Sequence, residues 1–189
     1  MTSRSGDDRL WGERAADVLS RMRTAAPQVH VLTSTVAQPL SANLLLAVGA
    51  QPSMSAAAGE IDAFAERTDA LVANLGMLDA SRRDALERAL PILQARDRPW
   101  VLDPVKVERS PARRTFAQRL LAFRPAVVRA NAEEMATLEL PAGVVRAVTG
   151  AVDRVDVDGR SRRIEGGHPR MAEVTAMGCA GTGLVAAAL

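Results

Sequence analysis

The chain has no tyrosine, one cysteine and a single lysine, Lys106, and its aromatic residues are three phenylalanines and two tryptophans. One cysteine excludes an internal disulfide framework and suits a reducing compartment. So few aromatics leave no series of stacking platforms of the kind that reads single-stranded nucleic acid. No apolar run approaches the roughly 20 residues that cross a bilayer. The opening stretch, Met1 to Asp8, lacks the apolar core of a secretory signal. A cytoplasmic protein with no membrane partner is the expectation.

What the chain does have is ordinary globular material: 48% hydrophobic and 24% charged residues in 189, enough for one domain with a sizeable core. Its pI of 9.4 overstates its basicity, because the formal net charge is only +2. The pI is high because tyrosine is absent and almost every base is arginine. Arg160, Arg162 and Arg163 alternate with their neighbours as an exposed strand pair would, so they read as a solvated face and no nucleic-acid partner is expected.

Short β-like runs alternate with longer helical ones. Asp8 to Arg23 carries apolar residues near a helical period, and Pro27 ends it before the strand-like Val29 to Thr33. Ala42 to Val48 reads as a helix closed by Gly49, then come a short Pro52 to Met54 segment and a helix over Glu60 to Arg67. Asp69 to Leu75 is a buried strand. Asp79 or Ser81 caps a helix to Ala95, and Pro99 to Leu102 delivers Asp103-Pro104 at a strand end. Ser110-Pro111 opens a helix to Phe123. Pro125 to Val128 leads into Arg129-Ala130-Asn131 and a short helix with Glu133 and Glu134. After Val144 to Val148 the pattern becomes β-turn-β around Asp158-Gly159. Such alternation implies an α/β fold with a mostly parallel sheet, whose ligands sit beyond the carboxyl ends of the strands. That places sites at Asn74, Asp103, Arg129, Thr149 and Cys179.

Near the end, Val174 to Gly183 sets small residues around Cys179, just before the apolar run Leu184 to Leu189. Small residues let backbone approach a ligand, and a helix start aims amides and the positive dipole end at an anion. A thiol in that first turn would have its pKa lowered. The alternative is a buried, inert cysteine beside a tightly packed helix start.

Several ordered blocks carry a family resemblance. His30-Val31-Leu32-Thr33 followed by Val36, then Ser41 to Met54 (SANLLLAVGAQPSM), resembles the N-terminal signature of the hydroxyethylthiazole kinases. The likeness continues through Asn74-Leu75-Gly76, Leu102-Asp103-Pro104-Val105, Arg129 to Glu134, Ala147 to Asp153, Gly167-His168-Pro169 and the Cys179 loop. The resemblance implies a ribokinase-like three-layer αβα sandwich around a mostly parallel sheet. It further implies ATP-dependent phosphorylation of the hydroxyl of 4-methyl-5-(2-hydroxyethyl)thiazole in thiamine biosynthesis or salvage, with Mg²⁺, in a homotrimer whose active sites lie between subunits.

By the same resemblance Cys179 activates and orients the acceptor hydroxyl, and Arg129, Thr149 and Asn131 serve ATP. Glu134 and Asp103 stand on the metal side, and Met54, Val36 and Ala176 contact the thiazole. Residue type alone leaves alternatives open. Asn131 and Glu134 also suit a capping pair, Asp103 a turn residue, Arg129 a surface arginine, and Met54 core packing.

The chain departs from the family pattern at several points. Ser34 and Pro39 replace asparagines, Ala176 replaces a loop glycine, Ala151 replaces a nucleotide-side glutamate, and Lys106 to Ser110 replaces a glycine-rich turn. The family's extra segment between Glu134 and Val148 is missing. Residues 1–189 are therefore expected to form a single ribokinase-like domain, incomplete at the C-terminus because the family's last helices would follow Leu189. A degenerate paralogue that binds nucleotide or heterocycle without turnover, or a kinase of the same fold for another small alcohol, remains an alternative.

Overall fold

The computed structural model describes residues 4–189; Met1 to Ser3, part of the opening stretch read above, lie outside the described residues. A long helix α1 (Arg4–Ala25) leads into β1 (Gln28–Leu32), α2 (Gln38–Ala47), β2 (Gln51–Ser53), α3 (Ile61–Arg67) and β3 (Ala70–Asn74). Next come α4 (Ala80–Ala95), β4 (Trp100–Asp103), α5 (Pro111–Leu120), β5 (Val127–Asn131), α6 (Ala132–Ala136) and β6 (Val145–Thr149). The hairpin β7 (Val152–Val157) and β8 (Arg160–Glu165) precedes α7 (Met177–Ala187).

The strands form one eight-stranded sheet in the order β2-β1-β3-β4-β5-β6-β7-β8. Pairing is parallel from β2 across to β6 and antiparallel through β7 and β8. Strand side chains alternate between faces. Leu32, Leu71, Ala73, Leu102, Val128 and Ala130 therefore join a core with α3, α4 and α5. Val29, Val31, Ala70, Val72, Val101 and Val127 join a second core with Met22 of α1, Leu45 of α2 and Ala186 of α7. Helices on both faces make this a three-layer αβα arrangement, which is why the central strands are mostly apolar until their carboxyl ends.

Local chemistry explains most element ends. The Asp79 carboxylate accepts from the Arg82 amide and caps α4, and the Ser110 hydroxyl accepts from the Arg113 amide ahead of Pro111 in α5. At the β7–β8 turn both Asp158 and Gly159 have positive φ, as a tight primed hairpin turn requires. The helix expected from Ala42 instead begins at Gln38. Proline suits a first helical turn, so Pro39 starts α2 where the apolar pattern alone suggests a later onset. The helix expected to reach Phe123 gives way to a 3₁₀ turn over Leu121–Phe123.

Candidate active site

Chain order reverses direction at β1: the chain moves out to β2, then back past β1 to β3. Such a switch point opens a crevice at the carboxyl ends of the flanking strands. A cavity of about 220 Å³ lies there, and Thr33, Ser34, Met54, Met77 and Arg82 are among the residues that line it. Thr33 is buried, and among the described residues its Oγ1 has no hydrogen-bond partner. Arg82 is held by the Met77 carbonyl. Val36 does not line this cavity; it stands 55% exposed on the turn that follows Thr33.

At the ends of β3 and β4, Asn74 Nδ2 donates to Asp103 Oδ2 at 2.8 Å. Asn74 Oδ1 in turn accepts from the Gly76 amide at 3.0 Å. Thr182, on α7, donates its hydroxyl to the same Asp103 Oδ2 at 2.9 Å. Arg129, midway along β5, donates to the Gly178 carbonyl at 2.7 Å and approaches Thr182 Oγ1 at 3.4 Å. Four elements thus meet around one carboxylate. Asp103 is buried, and the loss of water pushes its pKa up to about 6, against the pull of Arg129 and of its donors Thr182 and Asn74.

The small residues at the start of α7 have a structural purpose that sequence alone does not show. A methyl added at Gly181 would come within 3.3 Å of Arg129 Nη2, and one at Gly178 within 3.6 Å of Nη1. At Gly181 the missing side chain leaves room for the guanidinium, whereas at Gly178 a methyl would make only an ordinary contact. Ala176 caps the helix with φ +66°, a left-handed conformation that costs a residue bearing a Cβ roughly 1–2 kcal/mol. Glycine would take it without strain.

Cys179 is a free thiol, partly buried in the first turn of α7. The expected lowering of its pKa is reversed. Burial pushes the thiol up and the Asp103 charge adds to that, outweighing a hydrogen bond with Asn74 and the nearby Arg129 charge. The protonated thiol is therefore the resting form at neutral pH.

Asn131 and Glu134 form a reciprocal cap on α6: Asn131 Oδ1 accepts from the Glu134 amide at 2.9 Å, and Glu134 Oε2 from the Asn131 amide at 3.0 Å. Glu134 Oε1 also accepts from the Lys106 amide at 2.7 Å. The capping alternative is thus realised, and it holds the Glu134 carboxylate, itself buried, near enough to Asp103 to raise the latter's pKa. Thr149 ends β6 opposite Asn131 and bonds the Ala130 carbonyl at 3.4 Å.

The candidate residues fall into neighbouring groups: Met54 at the switch-point cavity; Cys179, Asp103 and Arg129 around the start of α7; Asn131, Glu134 and Thr149 at the ends of β5 and β6. Thr182 was not singled out from the sequence, although it lies one helical turn beyond Gly178 and so shares its face. Nor was Arg82.

This sheet, with its crevice and the helix start beyond β3, β4 and β5, is a ribokinase-like fold. The crystal structure of a ribokinase-like superfamily protein from Enterococcus faecalis V583 superposes with TM-score 0.52 at 12% identity, covering 90% of this chain and 77% of that one, a likeness of fold alone. The profile of the hydroxyethylthiazole kinase family matches residues 19–148. A probable hydroxyethylthiazole kinase of Agrobacterium fabrum is 43% identical over 174 residues, 92% of this chain and 71% of that protein. The structure of a hydroxyethylthiazole kinase from Pyrococcus horikoshii OT3 superposes with TM-score 0.84 at 30% identity, covering 91% of this chain and 74% of that one. The chain belongs to the hydroxyethylthiazole kinase family.

Proposed function

We propose that this chain transfers the γ-phosphate of ATP to the side-chain hydroxyl of 4-methyl-5-(2-hydroxyethyl)thiazole, the thiazole-phosphorylating step of thiamine biosynthesis or salvage. Family membership makes it a phosphotransferase. The observation that carries the assignment of roles is the Asp103 network. One buried carboxylate is bonded to Asn74, close to the acceptor cavity, and to Thr182, which touches the arginine at the start of α7. Acceptor and nucleotide groups therefore meet at the same strand ends, as in-line transfer requires.

In this reading Met54 and the Thr33 hydroxyl receive the acceptor in the cavity, and Arg82 borders it. The neutral thiol of Cys179 positions the acceptor hydroxyl rather than deprotonating it. Arg129 and Thr149 take phosphate oxygens, with the positive end of the α7 dipole beside them. Asp103 and Glu134 stand on the metal side. Glu134 spends contacts of both oxygens on backbone amides and Asp103 accepts two donors on Oδ2 alone, so the pair suits Mg²⁺ retained through its own waters rather than an all-protein cage. When bound with ATP, the ion neutralises phosphate charge.

We extend the reading to a cytoplasmic homotrimer with each site at a subunit boundary. It is supported by the exposed Val36 and Met77 beside the cavity, 55% and 64% accessible, which a second subunit would cover. No described helix is long and apolar enough to cross a membrane. The deciding assay is ADP production from Mg-ATP with and without hydroxyethylthiazole. Production that depends on the thiazole is expected, whereas none, or dependence on another small alcohol alone, would overturn the assignment.

A further inference from the structure

His30, on β1, is fully buried. Its Nδ1 is 2.7 Å from the Ser53 hydroxyl and its Nε2 is 2.9 Å from the Ser55 carbonyl. A carbonyl only accepts, so Nε2 carries the proton and Nδ1 accepts from Ser53. Burial holds the imidazole pKa below its ordinary value, against the opposing pull of the Ser55 carbonyl, so the ring stays neutral with one donor and one acceptor. The two bonds fall on either side of Met54, whose side chain lines the cavity.

Beyond Ser53, which ends β2 and pairs with His30 in the ladder, Met54 to Ala57 form a strap to α3, tied at its far end where the Ala57 carbonyl accepts from the Glu60 and Ile61 amides. Ser55 donates to Glu60 at 2.5 Å and accepts from the Ala57 amide at 3.3 Å. Ser81 of α4 donates to the Ala56 carbonyl at 3.0 Å. The His30 ring is the side-chain tie that holds the start of this strap, at Ser55, to β1. A ring needed only to fill space would be served by its stack on Phe64, with centroids 5.1 Å apart, and would not need both nitrogens paired across Met54.

We propose that His30 is a positioning residue for the acceptor: by holding Ser53 and Ser55 it fixes Met54 in the cavity wall and sets acceptor affinity, leaving nucleotide handling alone. This rests on the reading of the cavity as the acceptor site. His30→Phe keeps an aromatic ring for the Phe64 stack and removes both polar contacts, and His30→Gln restores a donor and an acceptor. Losing two hydrogen bonds is expected to raise KM for hydroxyethylthiazole about ten-fold in His30→Phe, with KM for Mg-ATP and kcat within about two-fold of wild type. His30→Gln should recover part of the loss.

Amide hydrogen exchange read over Met54 to Ala57 in the full chain should be faster in His30→Phe, a readout that needs no turnover. Should wild type not phosphorylate the thiazole, the functional reading fails, and faster exchange would still support the anchor. Unchanged exchange, or equal rises in both KM values, overturns the proposal. If His30→Phe does not fold, Ser53→Ala removes one of the two bonds with the ring in place and is held to the same outcomes.

Discussion

β1, β3 and β4 are buried along nearly their whole length, with helices packed on both faces. On the other side of the sheet, β6 is only half-buried and β8 is exposed throughout. The proposed acceptor groups, Thr33, Met54 and Asn74, stand on the first half, whereas Thr149 ends β6 on the second. Asp103 and Arg129 occupy the seam. In the proposed reading the two halves have different tasks. Densely packed strands fix atoms where alignment decides the rate, and an open edge suffices to hold a long anionic ligand by charge. Changes on the acceptor side should therefore appear in kcat or acceptor KM, and changes on the nucleotide side in ATP affinity.

The sharpest break in that contrast is expected at Cys179. Cys179→Ser should lower kcat by about 10²-fold, the scale of a misplaced reacting group, with Mg-ATP affinity unchanged by calorimetry. Because burial raises the thiol pKa, kcat of the wild type should show no thiolate-driven rise from neutral pH to mild alkalinity. A log-linear climb over that range, absent in Cys179→Ser, would restore the cysteine as a base.

At the seam, Asp103 predicts a dependence of stability on pH. Its folded pKa of about 6 lies above the ordinary carboxylate value of 3.8, so the native state holds the proton more tightly than the unfolded chain does. The stability this supplies is present in full below pH 4 and is lost as pH rises through 6, amounting to about 3 kcal/mol from a shift of this size. Urea titrations across that window should show the slope in wild type and lose it in Asp103→Asn; equal slopes would remove the carboxylate from the account.

Nucleotide-side effects should be smaller. Arg129→Ala is expected to weaken Mg-ATP binding by about 1.5–3 kcal/mol, the scale of charged hydrogen bonds, without altering KM for the thiazole at saturating ATP. Calorimetry giving wild-type affinity would remove Arg129 from the phosphate site. The smallest effect concerns Ala176. Relief of its left-handed backbone in Ala176→Gly should raise stability by about 1 kcal/mol and lower KM for hydroxyethylthiazole. An unchanged or higher KM would show that this methyl does not obstruct the acceptor.

Most of the fold could be read from local pattern, because strands buried on both faces are continuous apolar runs and because Asp79, Ser110 and Asp158-Gly159 punctuate them by chemistry that acts within a few residues. The onset of α2 is hidden from the apolar pattern because Pro39 starts a helix whose first turn lacks that period. The site was legible where a strand end carries a polar side chain, as at Asn74 and Asp103. It was not legible where the deciding interaction crosses the chain. Nothing beside Cys179 reports that the fold buries its thiol, or that the Asp103 charge lies near it, so a lowered pKa is expected where the structure raises it. The Asn131–Glu134 pair could be read as cap or as metal ligand, and its capping geometry leaves the metal role to be tested by binding.

Arg129 brings one further consequence. A guanidinium carries N–H groups on three nitrogens, and in Arg129 the contacts to Gly178 and Thr182 both use Nη1. The side chain is thus immobilised against bare backbone with the rest of its fork uncommitted. The rotational freedom that a flexible arginine would surrender on meeting a phosphate is surrendered here during folding. In the proposed phosphate role of Arg129, Gly181 would favour nucleotide binding through entropy: its missing side chain leaves room for the fixed guanidinium.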